Sequence, residues 1–304
     1  MADRQGAANA QSFSPGTKLA HLSAHQETHM PRIGLALLAA LLAGTPALAQ
    51  TLPPAIAQSK VLKIAVNGTY PPMESIDPAT NKLIGFDVDL AEAIGQKLGV
   101  AIEWQDGAFA QLIPAVQTGR ADMILSGISD LPARRESLDF IDYLKSGAQF
   151  YTLDKTESIK TAADLCGKTI GTVRSTSYPA NIEAWSAENC VKLGKPPITV
   201  AGDDRMPLVH VNLQQGRIDG GVQGSETLPT LMQNEPGIYR IVTPPFTTVL
   251  QGIAFAKTNT ALRDAVAVAV KQIFADGTYT ALIAKWKLQD SAAPAPGMNG
   301  GPLP

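Results

Sequence analysis

Apolar and polar positions along this chain follow two periods that take turns. Short apolar runs, VLKIAV (61–66), AIEW (101–104) and ADMILSG (121–127), are bounded by polar or glycine-containing turns and predict strands. Between them, FDVDLAEAIGQKLG sets Leu90, Ile94 and Leu98 four residues apart, one face of a helix, and FAQLIPAVQTG predicts a second helix. The pattern restarts after Tyr151. KTIGTV, ITVAG and a weak DGGVQG read as strands, and PANIEAWSAEN and MPLVHVNLQQG read as helices. YRIVT and GIAFAK follow as strands, and ALRDAVAVAVKQIFADG and TYTALIAKWKL close the pattern as helices. This β-α-β-α-β order, given twice, predicts an α/β protein of two lobes, each a mostly parallel sheet flanked by helices.

An internal echo supports two related halves. QTGRADMILSG (117–127) and QQGRIDGGVQG (214–224) share Gly-Arg-x-Asp and a final glycine at equal spacing, each at a predicted helix-to-strand junction. Ligands in open parallel sheets bind beyond the carboxyl ends of strands, so Gly127 and Gly224 are expected to border a shared cleft. The stretch SGISDLPARR (126–135) ends a strand and starts a helix at Pro132, with Ser129 or Asp130 as the expected cap. Backbone N–H groups there, next to Arg134, suit an anion. Arg135 is expected to be a solvated surface charge.

The two ends of the chain read differently. MPRIGLALLAALLAGTPALAQ, from Met30, has one positive charge, a short apolar stretch and Ala47-Leu48-Ala49, the pattern of a cleaved secretory signal. Residues 1–29 are polar and are expected to be an upstream extension or a misplaced start, and the SAAPAPGMNGGPLP tail (291–304) is Pro/Gly/Ala-rich and expected to be disordered. A net charge of −2 and no basic patch give no reason to expect nucleic acid. Beyond the signal there is one histidine, His210, and two cysteines, Cys166 and Cys190. An even cysteine count in an exported chain favours a Cys166–Cys190 disulfide. A Cys–His nucleophile pair is the alternative, and this donor set is poor for a metal. No metal and no cofactor are expected.

The runs NGTYPPMES, LIGFDVDLAEAIGQKLG, LIPAVQTGRADMILSGISDLPARRESLDFIDYLKSG, DLCGKTIGTV and DGTYTALIAKWKL together resemble the extracellular solute-binding proteins of family 3, the periplasmic partners of amino-acid-type ABC importers. The resemblance covers residues 60 to about 288. It implies a two-lobed periplasmic binding protein fold with two crossing hinge strands, running through SGAQFYT and TPPFTTV. Lobe one would be 58–146 plus 247–290 and lobe two 150–243, after an extension and signal peptide over 1–49. It implies a periplasmic monomer that closes on a small carboxylate and delivers it to a membrane permease.

The same resemblance assigns ligand positions. Tyr70 and Phe109 match aromatics on opposite sides of the ligand. Ser126, Gly127 and Ser129 match a segment that bonds a carboxylate, and Arg134 matches the arginine that grips it. Ser175 and Thr176 match an anion-contacting turn in lobe two. Two positions depart from the pattern: Leu131 replaces a threonine, and Gly224 stands where an aspartate pairs the ligand's α-ammonium. Ser225 or Glu226 could substitute, though neither is in register. The expected ligand is therefore a carboxylate whose amino group is absent, modified or weakly held, with ordinary amino acids next. Two other functions stay open. One is a periplasmic cyclohexadienyl or arogenate dehydratase on the same scaffold, for which Glu226 and Glu74 are the nearby carboxylates. The other is a sensor module.

Overall fold

The computed structural model of the protein describes residues 52–304. The extension and signal segment expected over 1–49 fall outside the described residues. The first three apolar runs pair as parallel strands: Val61–Val66 lies between Ala101–Asp106 and Met123–Ile124. Parallel neighbours need a crossover, and the helices Phe86–Leu98 and Leu112–Gln117 lie between these strands in the chain. Phe86, Leu90 and Ile94 are buried, as their spacing requires. They pack with Val266, Val270 and Ile273 of the helix Thr260–Ala275 and with Tyr279 and Ile283 of Thr278–Trp286. The chain thus returns to lobe one at its C-terminal end.

The second sheet repeats the plan. Thr169–Val173 lies between Thr199–Asp203 and Gly220–Gly224, all parallel. The helices Tyr178–Asn189 and Met206–Gln214 separate these strands in the chain. The weak run DGGVQG is a strand with all five residues from Gly220 to Gly224 buried. Each parallel core is extended by antiparallel strands. Val249–Ala256 and Leu138–Ser146 extend the first sheet, and Ala148–Leu153 and Tyr239–Ile241 the second. Both sheets are therefore mixed. The chain passes between them twice, at Gly147 and between Ile241 and Val249.

The echo in the sequence is a structural repeat. Asp122 Oδ2 accepts the Lys63 N–H (2.7 Å), and Asp219 Oδ2 accepts the Thr169 N–H (2.8 Å). In both lobes the aspartate also donates its own N–H to the carbonyl of that same residue, at 2.8 Å. Gly119 and Gly216, three residues earlier, turn the chain with φ of 73° and 69°. One motif thus anchors the central strand in each lobe.

The disulfide expected from the cysteine count joins Cys166 to Cys190, with Cα atoms 5.5 Å apart. It ties the segment before Thr169–Val173 to the end of the helix Tyr178–Asn189. The expected disordered tail is corrected. Ala292–Met298 pairs antiparallel with Leu138–Ser146, and Gly301–Pro302 pairs back on it. Leu138–Ser146 would otherwise be the sheet's edge, and an edge position tolerates the prolines that composition reads as disorder. Side chains complete the attachment: Asn299 Oδ1 accepts the Phe140 N–H (2.9 Å), and Gly300 N–H donates to Asp142 Oδ2 (2.9 Å).

Candidate functional site

Six strand ends meet at the cleft between the lobes. Lobe one contributes Asn67, Thr69 and Tyr70 after Val61–Val66, Phe109 after Ala101–Asp106, and Ser126 to Arg134 after Met123–Ile124. Lobe two contributes Thr176, Ser177 and Tyr178 after Thr169–Val173, and Met206 after Thr199–Asp203. The turn after Gly220–Gly224 brings Glu226 behind Tyr70. Strands end here because in a parallel sheet the loops at one end all project the same way. The cavity they enclose measures about 40 Å³.

Arg134 is half-buried in the short helix Pro132–Arg135. One N–H group donates to the Ser129 carbonyl (2.9 Å), and the guanidinium carbon lies 5.9 Å from the centre of the Phe109 ring. Its remaining N–H groups have no protein acceptor among the described residues. Burial pulls its pKa below the usual arginine value, yet an arginine stays charged. Phe109 therefore lines the cleft and also packs on the core around Leu112 and Ala115. The expected cap is corrected: neither Ser129 nor Asp130 caps the helix by its side chain. Asp130 is buried and held by Arg135 at 2.5 and 2.8 Å, so Arg135 is an ion-pair partner and not a free surface charge.

Within Ser126–Ser129 the roles divide. Ser126 Oγ donates to Glu74 Oε1 (2.7 Å) and accepts the Asn67 N–H (3.0 Å). Gly127 N–H donates to Asp87 Oδ2 (2.8 Å). Both groups, expected to bond the ligand directly, are engaged inside the protein and hold the segment in shape. Gly127 has φ of 52°, and a Cβ there would stand 2.9 Å from the Tyr70 ring. The aromatic wall and the glycine are one arrangement.

Lobe two departs further from expectation. Thr176 lines the cleft, with its hydroxyl donating to the Val173 carbonyl (2.7 Å), but Ser175 is not in the lining. Ser177 and Tyr178, its neighbours, take the place instead. Tyr178 was legible as an aromatic at the start of a helix, two residues after Thr176. Gly224 is not in the cavity lining either. A Cβ on it would fall 2.2 Å from Glu226 Oε1 and 2.2 Å from the Tyr70 hydroxyl. The Glu226 carboxylate thus fills the space a side chain at 224 would enter, which overturns the objection that it is out of register. It accepts from Tyr70 (2.7 Å), Gln251 (2.6 Å) and Ser146 (2.5 Å). Tyr70 also meets the Tyr178 hydroxyl at 2.8 Å, so the lobes touch through this cluster.

Behind Tyr70 and Ser126 lie three buried carboxyl groups, Glu74, Asp87 and Glu226. Burial raises the pKa of each, most strongly for Glu74 and to about 6 for Asp87. Glu74 and Asp87 are also neighbours, and the negative charge of Asp87 adds to the shift of Glu74. Tyr143 and Gly127 donate to Asp87, partly offsetting its burial. The sequence offers no spacing argument for Glu74 or Glu226 and gives no sign that Asp87 stands beside them, because only the fold brings these groups together. No cluster of metal-ligating side chains occurs among the described residues. Both sulfurs are in the disulfide, which removes the Cys–His pair.

A family model described as bacterial extracellular solute-binding proteins, family 3, matches residues 62–289. The arginine-binding protein ArgT of Corynebacterium glutamicum is 28% identical over 258 residues, 85% of this chain and 84% of its own. A probable histidine-binding protein of Neisseria gonorrhoeae is 28% identical over 236 residues, covering 77% and 85%. Among solved structures, an ancestral arginine-binding protein bound to arginine superposes with a TM-score of 0.68 at 29% identity, covering 75% of this chain and 98% of that one. No helix among the described residues is long and apolar enough to cross a membrane.

Proposed function

Because this chain belongs to family 3 of the bacterial extracellular solute-binding proteins, we propose that it captures an α-amino acid in the periplasm and presents it to the permease of an ABC importer. The observation that carries the reading is Arg134, a half-buried guanidinium with unpaired N–H groups at the mouth of a cleft. A planar carboxylate fits that fork. Glu226 supports the other half of the ligand. It brings a carboxylate to the place next to Gly224, and three donors leave one of its roughly four lone-pair sites for an α-ammonium. That removes the ground for expecting a ligand without an amino group. The named relatives are described as arginine-binding proteins and, in one case, as a probable histidine-binding protein.

Capture requires the lobes to open. The cavity is lined from both lobes, so a ligand held there is covered on both sides. Rotation about the two crossing segments at Gly147 and between Ile241 and Val249 would open it. Ligand favours the closed form through contacts it makes to both lobes at once. Calorimetry against the common amino acids, with small-angle scattering of the free and saturated protein, tests this. Binding of at least one amino acid with a smaller radius of gyration is expected. No binding, together with product formed from prephenate or arogenate, would replace the reading with the dehydratase one.

A further inference from the structure

Arg134 stands on a helix of four residues, Pro132–Arg135, that has no side-chain cap. One turn of helix is not stable by itself, because too few hydrogen bonds offset the ordering of its backbone. Here the Arg134 and Arg135 N–H groups both donate to a single carbonyl, that of Leu131, at 2.9 and 3.0 Å. A two-pronged grip on a carboxylate needs the guanidinium held in one orientation before the ligand arrives. Something outside the helix must hold it.

Arg135, the next residue, supplies the hold. Its Nε and Nη2 donate to the two carboxylate oxygens of Asp130, at 2.5 and 2.8 Å. Asp130 is buried, and its own N–H donates to the Leu250 carbonyl (2.8 Å) on the strand Val249–Ala256. The far end of the helix is thereby tied to the sheet. Asn299 and Gly300, a turn at φ of 52° and 75°, close over the Arg135 guanidinium. A Cβ on Gly300 would collide with that guanidinium. The turn is fixed in its own right. Asn299 Nδ2 donates to Asp139 Oδ1 and its N–H to the Phe140 carbonyl, both at 3.1 Å. The bonds to the Phe140 N–H and to Asp142 Oδ2 add to these.

The segment that carries this turn lies beyond residue 289, where the family match ends. None of its residues lines the cavity, so it can act on a ligand only through other groups. Resting on the reading of Arg134 as the carboxylate clamp, we propose that the strand Ala292–Met298 and its turn are a strap that orients Arg134, acting through Arg135. Asn299 and Gly300 are positioning residues. They keep the Arg135 guanidinium on Asp130, and that ion pair fixes the helix from which Arg134 reaches the cleft. A guanidinium already oriented loses less freedom when a carboxylate binds.

Calorimetry on the full chain, with whichever common amino acid binds tightest, tests the strap. Gly300→Ala puts a methyl where the guanidinium lies and should weaken binding about tenfold, as when one long side chain must be ordered on binding. Arg135→Gln should cost a similar factor. The double variant should lose no more than either single one, because both remove the same hold. Melting curves show whether each variant folds. Losses that multiply in the double variant, or full affinity in Gly300→Ala, overturn the proposal. If a variant does not fold, hydrogen exchange of the unaltered protein decides. The N–H groups of Asn299, Gly300, Arg134 and Arg135 should open together, with protection equal to within about threefold. Helix N–H groups that keep their protection while the strap opens would overturn the proposal as well. Failure of every amino acid to bind the unaltered protein would instead sink the clamp reading, whatever the exchange shows.

Discussion

The two lobes share a plan but contribute to the cleft in different ways. Each has three parallel strands whose carboxyl ends face the other lobe, and each ties its central strand to the next one through the same Gly-Arg-x-Asp turn. Lobe one supplies polar lining from two stretches, Asn67 to Glu74 and Ser126 to Arg134, and the second carries the one arginine in the lining among the described residues. Lobe two offers hydroxyls and a thioether from two separated strand ends, and a carboxylate from a third. Its acid comes from residue 226, admitted by a glycine at 224. In the proposed reading, the difference teaches that a charged clamp can be local in the chain, while the groups that complete it come from separated strand ends of the other lobe.

Removing the clamp should break this division most severely. Arg134→Ala leaves a carboxylate in a partly dry cleft without its cation, a loss of about 3–5 kcal/mol. Calorimetry should then find amino-acid binding near or below detection. A variant binding within tenfold of the unaltered protein would mean that lobe two, not lobe one, holds the anion.

The second test separates the lobes by stability. Cys166→Ser with Cys190→Ser opens a bridge spanning 24 positions, which should cost about 3 kcal/mol. Hydrogen exchange should place the loss in lobe two, around Thr169–Val173 and Tyr178–Asn189, with lobe one near its original protection. Equal loss in both lobes would show that they unfold as one unit.

The third concerns the pair at 224 and 226. Gly224→Ala puts a methyl against the Glu226 carboxylate and the Tyr70 hydroxyl, and should weaken ligand binding by about 1–2 kcal/mol. The effect should fall on affinity more than on melting temperature, because Tyr70 reaches Glu226 from the opposite lobe. A large drop in melting temperature with affinity intact would make the glycine a packing residue only.

The smallest effect concerns the C-terminal strand of lobe one, which has no counterpart in lobe two. Burial and the nearby Asp130 raise the Asp142 pKa to about 7. A raised carboxyl is neutral in the fold, so its stability contribution is complete below its unfolded pKa and is lost as pH rises through about 7. Asp142→Asn keeps a neutral group there, and should stabilise the protein by about 1 kcal/mol above pH 7 and change little at pH 4. Melting curves across that range check the sign. Stability of the unaltered protein rising from pH 5 to 8 in step with Asp142 would refute the assignment.

Much of this protein was legible in its residues because the signals were local. A strand of apolar residues, a helix with Leu90 and Ile94 on one face, and a turn from Gly119 to Asp122 each depend on neighbours a few positions away. The place of the segment from Ser126 to Arg134 beside the cleft was readable for the same reason: its lining residues follow one another along one strand end. The tail was misread because composition reports what a segment can do alone, and here a partner edge, Leu138–Ser146, accepts a proline-rich strand. Arg135 was misread because its partner Asp130 is buried, and burial is not a property of sequence. Tertiary structure alone decided which acids meet: Glu74 and Asp87 come from a strand and a helix close in the chain, and Glu226 from the opposite lobe. Electrostatic forces depend on separation in space and on exclusion of water, and neither follows from separation along the chain.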